Sequence, residues 1–157
     1  MTKLRCGLYS TVTATALLAA PAIADATDLT FTANLINVCI LSVGQQGTLA
    51  VTTDGKTLTS ETSGGAAATL SVVAVGLNPT INFTAPTLQS PNGWTGTPTT
   101  SIRYQSVAGA NRAYTTAASS APINALIDTF TVNSKVDNLT GFLGGQYVVR
   151  TTVTCQQ

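Results

Sequence analysis

Period-two alternation dominates the chain. From Asp28 to Leu41, the residues Leu29, Phe31, Ala33, Leu35, Asn37, Cys39 and Leu41 fall on one face. Thr30, Thr32, Asn34, Ile36, Val38 and Ile40 fall on the other. Successive side chains leave opposite sides of a pleated strand, so this pattern predicts a half-buried strand over 28–41. The last segment repeats it. Tyr147, Val149, Thr151, Val153 and Cys155 share one face, and Val148, Arg150, Thr152 and Thr154 share the other. Two terminal strands are therefore expected, each with one cysteine on its apolar side.

Between them the same rhythm continues with turn signals at short intervals. Ser42 to Gly47 predicts a polar turn, 48–53 a short strand, Asp54-Gly55 a type I′ hairpin turn and 56–60 the returning strand. Ala67 to Val75 predicts a strand with Leu70, Val72 and Ala74 on one side. Gly76 to Pro79 is a turn, because proline fixes φ there. Thr80 to Ala85 alternates with Ile81 and Phe83 inward, and Pro86 to Pro98 predicts a long loop around Trp94. Strands are expected over 99–106, 112–116 and 125–133, with a turn at 107–111, a small-residue loop at 117–122 and another turn at 137–141. Eight or nine short strands at this spacing, with no helical period, predict a sandwich or small barrel.

The first residues change the picture of the whole. Met1 to Arg5 is a short cationic start, Cys6 to Leu18 is a run of small and apolar residues, and Ala22-Ile-Ala24 has the small-x-small pattern of a cleavage site. That predicts a signal peptide over 1–24 and a single domain over 25–157. The apolar run is too short and too rich in threonine and alanine to cross a bilayer, which needs roughly 20 apolar residues. No comparable run follows, so no embedded membrane segment is expected in the exported chain. Cys6 leaves with the leader. Cys39 and Cys155 remain, an even number in an oxidising compartment, and a disulfide between them is expected. The alternative is two free buried thiols.

Composition then narrows the chemistry. After the leader, Lys56, Arg103, Arg112, Lys135 and Arg150 stand against Asp25, Asp28, Asp54, Glu61, Asp128 and Asp137, so the charge is close to neutral. Nucleic-acid binding needs clustered Lys and Arg, and no such cluster is present. Threonine and valine are abundant, and both suit pleated, partly exposed surfaces. The sequence contains no histidine. That excludes Ser-His-Asp and Cys-His catalysis and the commonest metal ligand. No carboxylate pair has glycosidase spacing. Asp128 is placed opposite the apolar stripe of its strand or at its edge. No enzyme activity, metal or cofactor is expected.

Two features could bind something. Trp94 either presents an indole on its loop or folds back to plug the end of the core. Arg103, Tyr104, Arg112 and Tyr114 could form a polar-aromatic surface on one hairpin, although cross-strand packing explains them equally well.

The two ends carry a resemblance. A leader, then Phe31-Thr-Ala-Asn-Leu-Ile-Asn-Val-Cys39, glycine-rich hairpins and an ending Gly145-Gln-Tyr-Val-Val-Arg-Thr-Thr-Val-Thr154 resemble bacterial chaperone–usher fimbrial subunits, including the spore-coat-U-like branch. The resemblance implies an immunoglobulin-like antiparallel β-sandwich on the cell surface, in a fimbrium, or in the periplasm. It implies a structural or adhesive role, with copies of itself or related surface subunits as partners. Each such subunit lends an N-terminal strand to its neighbour. This chain departs in two places: its second cysteine lies near the C-terminus, and the segment ahead of Phe31 is short. Bonded cysteines bring their Cα atoms within about 7 Å. The first and last strands must then approach, which favours a self-complete domain over a strand-donating polymer. The competing expectation is a monomeric periplasmic or secreted binding module that uses loop 86–98.

Overall fold

The computed structural model describes residues 30–157. The leader expected over 1–24 lies outside them. Asn34–Gln157 forms one compact unit. Among the described residues every regular element is a strand, and all pairings are antiparallel. The strands are β1 (Val38–Gln45), β2 (Ala50–Val51), β3 (Thr57–Thr59), β4 (Ala68–Val75), β5 (Thr80–Phe83) and β6 (Thr87–Gln89). They continue as β7 (Thr99–Ser106), β8 (Asn111–Thr115), β9 (Ser119–Pro122), β10 (Ile127–Asp137), β11 (Val148–Arg150) and β12 (Val153–Gln156).

β10 is the hub of the large sheet. Its first half pairs with β4, its last residues pair with β3, and its other edge pairs with β7. β1 extends the sheet beyond β4, β2 beyond β3, and β8 beyond β7. A second sheet holds β12, β5 and β9, and a two-stranded ribbon joins β11 to β6. The sheets share one core, built on Leu70, Val72, Ala74, Ile81, Phe83, Ile102, Tyr104 and Phe130, as in a β-sandwich. The alternation predicted for β4 and β5 places its apolar residues inside: Leu70, Val72, Ala74, Ile81 and Phe83 are all buried. Phe83 stacks on Tyr104 with centroids 4.4 Å apart, and Phe130 packs at an angle against both.

Six expectations need correction, the first being the loop predicted over 86–98, whose residues Thr87–Gln89 form strand β6 because they pair with β11. The strand predicted over 28–41 starts at Val38 and runs on to Gln45, through the residues expected to turn. Thr30–Asn37 pairs with no strand among the described residues, and Phe31 and Leu35 are 90% and 81% exposed. The Asp54-Gly55 turn is not type I′, which needs positive φ at both central residues, because Asp54 keeps a negative φ. Thr52 pairs with Thr57 instead, and the Asp54 carboxylate accepts from Thr52 Oγ1 at 2.5 Å and from the Lys56 amide at 3.1 Å. Residues 119–122 form a strand, with Pro122 tolerated because β9 is an edge. The expected final strand is two, β11 and β12, broken at Thr151–Thr152. Asp128 shares the inward parity of Phe130 and is 2% exposed.

Candidate functional site

The two expected cysteines meet. Cys39 on β1 and Cys155 on β12 form a disulfide with Cα atoms 6.2 Å apart. The bond closes the sandwich at one end. Gln157 Nε2 donates to the Val38 carbonyl oxygen at 2.5 Å beside it. A Cβ at Gly76 would lie 2.9 Å from Gln157 Oε1, so the β4–β5 turn also packs against this corner.

Beyond the disulfide the walls part. Among the described residues β1 pairs only with β4, and β12 only with β5, so no ladder bridges the two. An open groove of about 830 Å³ lies between them. One wall is Val43 and Gln46–Leu49, where β1 ends and the chain turns away. The other is Gln146–Val153, running through β11 into β12. Leu70, Phe83, Ile102 and Val132 line it from the core side. The wall after β1 stays close to β4 through the Thr48–Ala66 bridge. Gly65 permits the approach of the next loop: a Cβ there would sit 2.7 Å from the Thr59 carbonyl oxygen. The closure expected from the disulfide thus holds at one end of the sandwich, and the other end has an apolar opening.

The far end also carries Trp94. Its ring stacks on Phe142 with centroids 5.7 Å apart and meets the edge of Tyr147 at 5.2 Å. Tyr147 Oη donates to the Leu143 carbonyl oxygen at 3.0 Å, and Tyr147 also lines the groove. The indole is half-buried in an aromatic group drawn from two loops. Trp94 therefore does not stand alone on its loop.

The four residues proposed for the β7–β8 hairpin divide. Arg103 and Tyr114 come together: the guanidinium lies 5.6 Å from the Tyr114 ring centroid and pairs with Glu61. Lys135 Nζ lies 5.3 Å from the same ring and pairs with Asp137 at 2.9 Å. Tyr114 Oη donates to Glu61 Oε2 at 2.5 Å. Burial, and then that donated bond to a carboxylate, push the Tyr114 hydroxyl up to about 12. Tyr104 goes elsewhere, into the core at 2% exposure. Arg112 lies opposite Tyr104 in register and is exposed on the edge strand β8. Sequence reasoning missed Glu61 as the shared partner, because it lies 42 residues from Arg103 and 53 from Tyr114.

Among the described residues there is no group of three or more His, Cys, Asp or Glu placed to hold a metal ion. No helix among them is long and apolar enough to cross a membrane. No family model, curated protein or solved structure matches this chain.

Proposed function

We propose that this protein is a secreted, non-enzymatic structural or adhesive surface component, an immunoglobulin-like subunit that assembles with copies of itself or related subunits by strand addition. The groove beside β1 carries the reading. Its core side is apolar, and its two walls belong to strands that leave an unfilled place between them. The chain also supplies a segment of matching chemistry. Phe31, Ala33 and Leu35 alternate with Thr30, Thr32 and Asn34, and Phe31 and Leu35 stand in solvent. An extended segment laid along a strand edge gains backbone hydrogen bonds, and its alternate side chains enter the groove. Exposed apolar residues in such a row mark an interaction surface. The disulfide fits an exported protein.

The competing reading, a monomeric binding module using loop 86–98, needs a free aromatic face. Phe142 and Tyr147 occupy the sides of Trp94, which weighs toward packing.

Complementation tests the proposal. Leu35→Asp spoils the donor segment and leaves the groove intact. Val43→Asp spoils the groove wall and leaves the donor intact. The chain is exported so that the disulfide forms, and its mass in solution is measured by light scattering after size exclusion. Wild type is expected to assemble, each variant alone to be monomeric, and a mixture of the two to give a dimer. A wild type that stays monomeric at every concentration, or a Leu35→Asp variant that assembles normally, overturns the proposal.

A further inference from the structure

We propose that Asn92 is a site of spontaneous deamidation, and that its isoaspartate product releases the Trp94 indole from Phe142 and Tyr147. The inference stands apart from strand addition. Its first ground is sequence. Asn92 is the one asparagine in the chain followed by glycine. In the reaction the Gly93 backbone nitrogen attacks Asn92 Cγ. A bond forms between them, the Cγ–Nδ2 bond breaks, and Nδ2 leaves as ammonia with the proton that Gly93 gives up. Water then opens the succinimide ring. Its attack at Cγ gives aspartate. Its attack at the main-chain carbonyl carbon gives isoaspartate, in which the backbone runs through the side chain. A Cβ on the following residue hinders the first step, and a following proline has no N–H to give. Glycine presents neither obstacle.

The second ground is geometry. Pro91–Trp94 is a β-turn spanned by one hydrogen bond, from the Trp94 amide to the Pro91 carbonyl oxygen at 3.3 Å. Gly93 has a φ of 84° and Asn92 keeps a negative φ, which is the type II arrangement. Both residues are exposed, and a Cβ at Gly93 would meet nothing within 4 Å. Among the described residues the Gly93 amide and the Asn92 side chain make no hydrogen bond. The peptide plane between them turns over without moving its neighbours, since glycine accepts either sign of φ. Asp54-Gly55 is the contrasting case. That pair closes the same ring by losing water, but the Gly55 amide donates to the Thr52 carbonyl oxygen at 2.9 Å. The Asp54 carboxylate accepts from Thr52 Oγ1 and from the Lys56 amide, and these bonds, that of Thr52 first, hold its pKa below the usual carboxylate value. An ionised carboxylate has no leaving group to offer. The chain thus fixes one such pair and leaves the other open.

The third ground is what the turn joins. A Cβ at Gly145 would lie 2.5 Å from Pro91 Cγ, so Pro91 is seated against the loop ahead of β11. On the other side of the turn the indole stacks on Phe142, meets Tyr147 edge-on and folds over Gly96. Asn92 and Gly93 are the whole of the link between those two seats. Isoaspartate inserts a methylene into the main chain there and leaves a carboxylate beside the apolar rings. The hydrogen bond that spans the turn falls out of register, and Trp94 is carried from its seat. Aspartate adds the charge alone and keeps the backbone length. The modification therefore exposes the aromatic face that the unmodified loop keeps packed, and it needs only water and time.

The test uses the exported full chain, aged in mildly alkaline buffer with and without urea and mapped by peptide mass spectrometry that distinguishes isoaspartate. In the folded chain Asn92 is expected to deamidate at least tenfold faster than any other asparagine, and at a rate within tenfold of its rate in urea. Stronger protection of Asn92, or another asparagine that reacts as fast, overturns the modification site. Asp54 is expected to isomerise at least tenfold more slowly folded than in urea. Equal rates there overturn the geometric ground. Trp94 is the only tryptophan, so its emission reports its seat. The isoaspartate form, separated by ion exchange, is expected to emit further to the red and to be quenched more by acrylamide than fresh chain. Asn92→Asp, measured fresh, is expected to match wild type, and Asn92→Gln to stay packed through the same ageing. Isoaspartate with unchanged emission and quenching, or a fresh Asn92→Asp with the shifted emission, overturns release by the longer backbone.

Discussion

Cys39 and Cys155 are bonded across 6.2 Å between Cα atoms, yet the strands that carry them share no backbone ladder. The covalent link therefore holds together two edges that hydrogen bonding does not. It spans 116 residues of sequence. Closing a loop of that length removes denatured-state entropy worth about 4–5 kcal/mol in the chain-entropy model, and measured losses run about 2–5 kcal/mol. Cys39→Ala with Cys155→Ala is expected to lower the unfolding free energy by an amount in that range. Urea unfolding followed by fluorescence measures it. An unchanged midpoint would show that β1 is held by β4 alone.

Tyr104 is a core residue whose hydroxyl makes no hydrogen bond with the protein. Its ring fills the space between Phe83 and Phe130. A buried polar atom without a partner costs about 1–3 kcal/mol. Tyr104→Phe keeps the ring and removes the hydroxyl. Stability is expected to stay level or rise by up to about 1 kcal/mol, since the exchange leaves a small void. A loss above about 1 kcal/mol in thermal unfolding would mean that the hydroxyl has a stabilising partner.

Asp128 holds a turn from inside. Its Oδ1 accepts from the Ala108 amide at 3.0 Å and from the Thr129 amide at 2.8 Å. Asp128→Ala strands the Ala108 amide and opens a small cavity in the same step. The expected loss is about 2–3 kcal/mol, from the unmade bond and the void together. Amide hydrogen exchange at Ala108 and Ala110 is expected to speed up more than exchange in β4. Uniform acceleration would point to global destabilisation rather than a released turn.

How far the chain could be read depended on what alternation reports. Leu70, Val72, Ala74, Ile81 and Phe83 repeat with period two and are all buried, so the strand positions that matter most to the core were legible. The pairing of Cys39 with Cys155 followed from their being the two cysteines left after the leader. Alternation says that a segment has an apolar side, not what covers that side. Phe31 and Leu35 have the same pattern as Ile81 and Phe83, yet they lie in solvent because no neighbouring strand pairs with them. The groove was not legible for the same reason. It arises because β1 and β12 share no ladder beyond the disulfide, a property of their placement rather than of either segment's pattern. Asp128 was misplaced because a carboxylate on an inward position is rare unless something binds it, and its partner lies in a turn 20 residues away.

Burial, and then the bond its hydroxyl makes, couple Tyr114 to the pH dependence of stability. Its hydroxyl donates to Glu61 Oε2 at 2.5 Å, and a tyrosinate would face that carboxylate with no proton to share. Partial burial is the larger cost of the charged form, and together with that bond it raises the group's folded value from 10.0 to about 12. A group whose folded pKa lies above its unfolded one binds protons more tightly in the native state. Its contribution is complete below pH 10 and is lost as the pH climbs toward 12. The ring is partly open to solvent and salt screens the site, so the effect is modest in size. Denaturant midpoints measured from pH 8 to 12 are expected to fall over the upper two units. Tyr114→Phe should flatten that fall relative to wild type, because the mutant has no proton to lose at this position. Glu61→Gln should shrink it, because without the acceptor's negative charge the folded value falls back toward 10.0 while the onset, set by the unfolded chain, stays where it is. If the wild type and Tyr114→Phe profiles stay parallel up to pH 12, the Tyr114–Glu61 bond does not persist in solution.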